Sequence, residues 1–125
     1  MNEDSVYERV GGEDFFRRLV EGFYERVERD DILRPMYPED LSESKRVLTL
    51  FLVQYWGGPG TYLEERGHPR LRMRHVPFRI TKRARDAWLS AMMGSLEEAR
   101  GDLSEDDFVE MREYFSMAAT SLRNV

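Results

Sequence analysis

Between Glu13 and Arg29 the apolar side chains fall at Phe15, Phe16, Leu19, Val20, Phe23, Tyr24 and Val27, with charged residues between them. Spacings of three and four bring side chains back to one side of an α-helix, so this stretch reads as a helix with one wide apolar face. Such a face is stable only when something covers it, which commits the chain to packing further elements against it. Breaks flank it on both sides, Gly11-Gly12 before and Asp30-Asp31 with Pro35 after.

The covering elements read as more helices. Val6, Tyr7 and Val10 form a short amphipathic piece ahead of the glycine turn, and Ile32, Leu33, Met36 and Tyr37 suggest a short helical turn before a corner at Pro38. Ser42 is expected to cap a helix in which Val47, Leu48, Phe51, Leu52, Tyr55 and Trp56 recur at three and four, ended by Gly57-Gly58-Pro59-Gly60. The stretch from Thr61 to Phe78 contains Gly67, Pro69 and Pro77 with little periodicity, and reads as a loop carrying a short helix that ends near His75. Thr81 is expected to cap a helix whose inner face is Ala84, Trp88, Leu89, Met92 and Leu96. Ser104 to Asp107 resembles a capping box, opening a last helix with Phe108, Met111, Phe115, Ala118 and Leu122 inside. No stretch alternates with period two and no repeat recurs, so the expected class is all-α: four main helices and short extra ones, in one domain over residues 1–125.

A net charge of −5, with 34% of residues charged in both signs, argues against a nucleic-acid protein selected by bulk charge. Without cysteine there is no disulfide, iron–sulfur cluster or thiolate metal site, so any metal must use nitrogen or oxygen. The N-terminal MNEDSVYERV has no basic region followed by an apolar run, and no apolar stretch approaches the ~20 residues of a membrane span. A cytoplasmic location is therefore expected.

Chemistry concentrates in Arg70 to Ile80, RLRMRHVPFRI, where His75 stands among arginines and large apolar side chains. One histidine can hold a haem iron from one side, its other ring nitrogen donating to a carbonyl or carboxylate that fixes the ring. Most lone histidines in such settings simply pack, so the rest of the chain has to decide. Tyr24, Tyr37 and Trp88 lie on or beside apolar faces and carry donors that need partners when buried. They either converge on a shared pocket for a small polar ligand or each bond a nearby backbone carbonyl.

Nearly the whole chain, from Tyr7 to Leu122, resembles the truncated haemoglobins of the second group. The resemblance rests on Gly11-Gly12, Phe23-Tyr24, the corner Tyr37-Pro38-Glu39-Asp40, and the run Tyr55-Trp56-Gly57-Gly58-Pro59. Gly67 through His75, Pro77-Phe78-Arg79-Ile80 and Trp88 complete it. It implies a truncated globin, a two-over-two helical sandwich enclosing one b-type haem, with His75 matching the proximal iron ligand. It also implies that Tyr24, Tyr37 and Trp88 hydrogen-bond the iron's distal ligand, with Leu48 as an apolar residue over the haem and Phe51 beside it. Ser44 falls where many full-length globins place a distal histidine, and its small side chain leaves room for ligand entry. The haem propionates need cations or donors, for which Arg74 and then Arg72 are expected, with Tyr62 and His68 adding hydrogen bonds.

Three functions follow as alternatives. The first is reversible binding of dioxygen, carbon monoxide, nitric oxide or similar ligands at ferrous iron, with slow release and with a reductant, not identified by the sequence, keeping the iron ferrous. The second is a haem-dependent redox enzyme, a peroxidase or nitric oxide dioxygenase. The third is a helical interaction module in which His75 is inert. A homodimer or higher homo-oligomer is compatible with each.

Overall fold

A computed structural model describes residues 5–125; Met1 to Asp4, part of the N-terminal stretch read for a leader, lie outside the described residues. The described residues form helices and turns without a strand. In chain order these are α1 (Val6–Arg9), α2 (Glu13–Glu28), a 3-10 turn at Arg34–Met36, α3 (Ser42–Tyr55), α4 (Thr61–Arg66) and α5 (Leu71–His75). They continue with α6 (Lys82–Glu98), a second 3-10 turn at Arg100–Asp102 and α7 (Glu105–Leu122). None is long and apolar enough to cross a membrane.

All seven apolar residues of the Glu13–Arg29 stripe are buried in α2. This helix packs on α3 within its own pair and on α6 of the second pair, and α6 packs on α7, which gives two helix pairs laid one over the other. The layers touch closely where Gly22 meets Ser95. A Cβ on Gly22 would lie 2.4 Å from Ser95 Oγ, and Ser95 Oγ donates to the Leu19 carbonyl at 2.6 Å, so a buried hydroxyl is satisfied by the neighbouring helix.

The local stop and start signals act mostly as the sequence suggests. Gly11 and Gly12 adopt φ of 93° and 89°, a region open to glycine, and turn the chain from α1 into α2. Thr81 Oγ1 accepts from the Ala84 N–H at 3.1 Å, and Ser104 Oγ from the Asp107 N–H at 3.1 Å. Ser42 behaves differently: it makes no capping bond, and its own N–H donates to Asp40 Oδ1 at 2.9 Å, so the carboxylate upstream shapes the start of α3. The Thr61–Phe78 stretch holds two short helices, α4 and α5, where one was expected. Leu89, Ala118 and Leu122 are only half-buried.

Asp107 also does something that its place in a capping box does not suggest. Its carboxylate receives the Arg9 guanidinium at both oxygens, Nε at 3.0 Å and Nη2 at 2.9 Å, tying α1 to α7 across 98 residues. The Asp107 side chain is buried, and hydrogen bonds from Arg9 hold its carboxyl below the usual carboxylate range. A depressed folded-state pKa stabilises the fold above the unfolded value of about 3.9, and that contribution is lost as pH falls through the folded value. Asp107→Asn is therefore expected to lower stability by about 1–2 kcal/mol at neutral pH, the low end for a bond to a charged group because Arg9 is partly exposed. Urea unfolding at pH 7 and again below pH 4 checks this. The gap between the two proteins must narrow in acid, and a constant gap would assign the loss to packing.

Candidate functional site

α5 has five residues, too few to persist without help from outside itself. It starts at Arg70, whose φ of 44° turns the chain sharply after Pro69. Arg74 then reaches back, with Nε donating to the Pro69 carbonyl at 2.6 Å and Nη2 to those of Arg66 at 2.8 Å and His68 at 3.4 Å. From the far end, the Asn124 amide donates to the carbonyls of Phe78 at 2.9 Å and His75 at 3.3 Å, while its Oδ1 accepts from the Ile80 N–H at 2.9 Å. The short helix is thus braced on both sides.

This bracing orients His75. Its Nδ1 lies 2.6 Å from the Leu71 carbonyl. A carbonyl only accepts, so Nδ1 carries the hydrogen and Nε2 keeps an unshared lone pair. The half-buried ring forms part of the wall of a cavity of about 510 Å³ that lies among α2, α3, α5, α6 and α7. Phe23, Leu48, Phe51, Leu52, Ala84, Phe115, Ala118 and Leu122 make its walls largely apolar. That explains the half-burial of Leu48, Phe51, Ala118 and Leu122: they face this space instead of closing on one another.

Three of the donors in the lining are grouped. Tyr24 from α2, Tyr37 from the corner and Trp88 from α6 come together, with the two tyrosine rings edge to face at 5.6 Å and Trp88 5.4 Å from the Phe23 ring beside them. Burial raises the Tyr24 hydroxyl well above the ordinary tyrosine range, with the charge of Tyr37 acting the same way. Burial likewise pushes Tyr37 up to about 12, partly offset by the polar N–H of the neighbouring Trp88, which favours the ionised hydroxyl. Both tyrosines therefore keep their hydroxyl hydrogens at neutral pH, and the Trp88 indole N–H is a donor regardless of pH. Tyr62, only 3% exposed, faces the cavity elsewhere, with the Arg66 guanidinium 5.9 Å over its ring.

Of the residues singled out from sequence, His75, Arg74, Tyr62, Leu48, Phe51, Tyr24, Tyr37, Trp88 and Ser44 line this one cavity. Arg72 and His68 are exposed and do not. The sequence reading missed Arg66, Arg85 and Glu43, which also line it, and Asn124, which holds the turn after His75. Arg66 sits in a stretch with no clean period, and Arg85 lies on the charged side of the α6 pattern, so neither is marked as facing a cavity. Asn124 had no local signal at all, since its partners lie 46 and 49 residues away.

Residues 5–121 match the bacterial-like globin family. The chain is 46% identical over 104 residues to the group 2 truncated hemoglobin YjbI of Bacillus subtilis (strain 168), covering 82% of this chain and 78% of that one. The chain belongs to the group II truncated haemoglobins. Among solved structures it is similar to a hemoglobin from the thermophilic phototrophic bacterium Chloroflexus aurantiacus, with a TM-score of 0.93 and 51% identity over 97% of this chain and 98% of that one. It is also similar to a truncated oxygen-avid haemoglobin from Bacillus subtilis, with a TM-score of 0.89 and 40% identity over 96% and 99% of the two chains.

Haem b is the cofactor of this family, and the cavity suits it. A truncated haemoglobin needs apolar walls for the flat porphyrin, a nitrogen lone pair for the iron, and cations or donors for the propionates. Here the walls are Leu48, Phe51 and their neighbours, the lone pair is on His75 Nε2, and Arg66, Arg74 and the Tyr62 hydroxyl are the polar groups available.

The tyrosine environment has a measurable consequence. A raised folded-state pKa leaves stability complete below the unfolded tyrosine value of about 10 and erodes it as pH rises beyond that. Alkaline titration followed by tyrosinate absorbance is expected to show a later rise near 12, above the ordinary tyrosine value of about 10. Tyr37→Phe should remove part of that later rise. If the variant instead loses amplitude near 10, Tyr37 is not shielded from water as the fold indicates.

Proposed function

We propose that this truncated haemoglobin, as a single domain, holds one b-type haem through His75 and binds dioxygen reversibly at the ferrous iron, releasing it slowly. The observation that carries the reading is the 2.6 Å bond from His75 Nδ1 to the Leu71 carbonyl, which leaves Nε2 as the available ligand atom in the wall of an apolar cavity with grouped donors. When bound, ferrous haem supplies an iron atom at which a diatomic molecule binds and takes on partial negative charge. The protein supplies everything else.

His75 holds the iron through Nε2, and the Leu71 carbonyl fixes the ring and makes it a better donor. Tyr24, Tyr37 and Trp88 provide hydrogen bonds to the diatomic ligand. Because they are held by packing before it arrives, they stabilise its charge with little reorganisation. Leu48 and Phe51 exclude water, and Ser44 is small enough to leave an entrance. Tyr62, Arg74 and Arg66 hold the carboxylates of the haem edge, whereas exposed Arg72 and His68 are further from that role. The description of the Bacillus subtilis neighbour as oxygen-avid is in line with slow release.

Absorption spectra of the protein as purified, reduced, and exposed to oxygen and to carbon monoxide test the cofactor and its ligation together. His75→Ala is expected to lose the five-coordinate ferrous spectrum, since His68 is exposed and does not line the cavity. A wild-type spectrum from that variant would remove His75 from the iron.

Trp88→Phe deletes one donor and keeps an aromatic ring. A hydrogen bond to a partly charged acceptor is worth about 1.5–3 kcal/mol, so oxygen release should quicken by roughly 10- to 150-fold. The low end is expected because Tyr24 and Tyr37 line the same cavity as Trp88 and can take over part of the role. Carbon monoxide takes on less charge and should respond much less, and the oxygen effect should grow in a Tyr37→Phe background. Stopped-flow release of both gases decides it: equal changes would mean that Trp88 acts through pocket shape alone.

A further inference from the structure

Outside residues 66–85 the arginines of this chain mostly sit against acids. Arg9 pairs with Asp107, Arg18 with Asp102, Arg26 with Glu98, Arg46 with Glu43 and Glu65, and Arg100 with Glu97 and Glu105. Between Arg66 and Arg85 the pattern reverses. Eight of the 19 cations lie there and none of the 24 acids, in a chain whose net charge is −5. Arg70, Arg72, Arg79 and Arg83 are exposed, and their side chains make no ion pair or hydrogen bond among the described residues.

Two large apolar side chains are interleaved with these arginines, Met73 at 63% exposed and Val76 at 71%, while Phe78 close by lines the cavity. Isolated exposed apolar residues need no explanation, but two within four residues, flanked along the chain by the unpaired Arg70, Arg72, Arg79 and Arg83, have the composition of a contact surface with an apolar centre and a charged rim. Guanidinium groups suit carboxylates, which they can grip with two parallel bonds. The location is equally specific: the same five-residue helix turns His75 to the cavity and Arg72 and Met73 to solvent.

We propose that this face docks an acidic protein that donates single electrons and keeps the haem iron ferrous. The inference rests on the haem-binding function above, which requires ferrous iron and hence a source of electrons. A surface of lipid phosphates would also satisfy the arginines, but the position on His75's own helix favours a redox protein, because electron transfer demands close approach to the iron. The transfer would balance as one electron lost by the partner's reduced centre and one gained by the haem iron held by His75. No bond is made or broken and no proton moves. The free arginines act chiefly on encounter, since rim charges raise association rates more than they raise affinity.

The test mixes ferric holoprotein with a reduced, acidic plant-type [2Fe–2S] ferredoxin under anaerobic stopped flow, over a range of salt concentrations. The wild type is compared with Arg79→Glu/Arg83→Glu and with Arg17→Glu/Arg112→Glu, which makes the same change in net charge on α2 and α7. The first variant is expected to slow the second-order reduction by about 10-fold or more at low salt, with the difference closing as salt rises. The second should stay within about threefold of wild type, as expected for charges away from the docking face. Equal slowing in both variants, or none in either, overturns the proposal. If none is seen and the first variant loses sedimentation with phosphatidylglycerol vesicles that the wild type retains, the face belongs to a membrane instead. A missing Soret band would sink the functional reading first. Calorimetric binding of oxidised ferredoxin to wild type and variant would then still report whether the surface takes an acidic protein.

Discussion

The bond from His75 Nδ1 to the Leu71 carbonyl is useful only if a five-residue helix stays where it is. A helix that short does not hold its own shape in water, because one or two internal hydrogen bonds do not repay the ordering of its backbone. Its position is therefore imposed from outside, by Arg74 drawing three carbonyls of the preceding turn together and by Asn124 at the end of α7 clamping the turn that follows. The four long helices exist, from this point of view, as a frame that brings those braces to one place. α2 is the member that makes the frame rigid, since its whole apolar stripe is buried between α3 and α6.

The cavity is the cost of that arrangement. Leu48, Phe51, Trp88, Ala118 and Leu122 belong to helix faces that would otherwise close into a continuous core, yet they stay half-buried around about 510 Å³. A ligand that packs against these walls adds its binding free energy to that of folding. The few polar groups are then decisive, because a donor in such surroundings is worth more than one in water and cannot be left without a purpose.

Charge follows the same division of labour. Arg9 with Asp107 and Arg26 with Glu98 tie elements far apart in sequence, and contribute to stability in proportion to how well they are shielded. Arg70, Arg72, Arg79 and Arg83 tie nothing together among the described residues and face outward, whereas Arg74 between them braces α5.

Periodicity and caps were legible because each involves residues within about four positions of one another. The α2 stripe, the caps at Thr81 and Ser104 and the turn at Gly11-Gly12 all follow from such short-range patterns, and the tyrosine, tryptophan and histidine candidates follow from residue chemistry read with a family resemblance. Even at short range competition misleads: Ser42 and Asp40 both suit the start of α3, and only the folded backbone chose the carboxylate. Glycine and proline obscured α4 and α5, since neither helix is long enough to show a period. What lies beyond local reach was decided by tertiary structure alone. The pairing of Arg9 with Asp107, the use of Arg74 as a brace, the grip of Asn124 on the His75 turn and the meeting of Tyr24, Tyr37 and Trp88 on one wall depend on helices packing in a particular order. No spacing along the chain encodes a contact between residues 98 positions apart; the packed frame does.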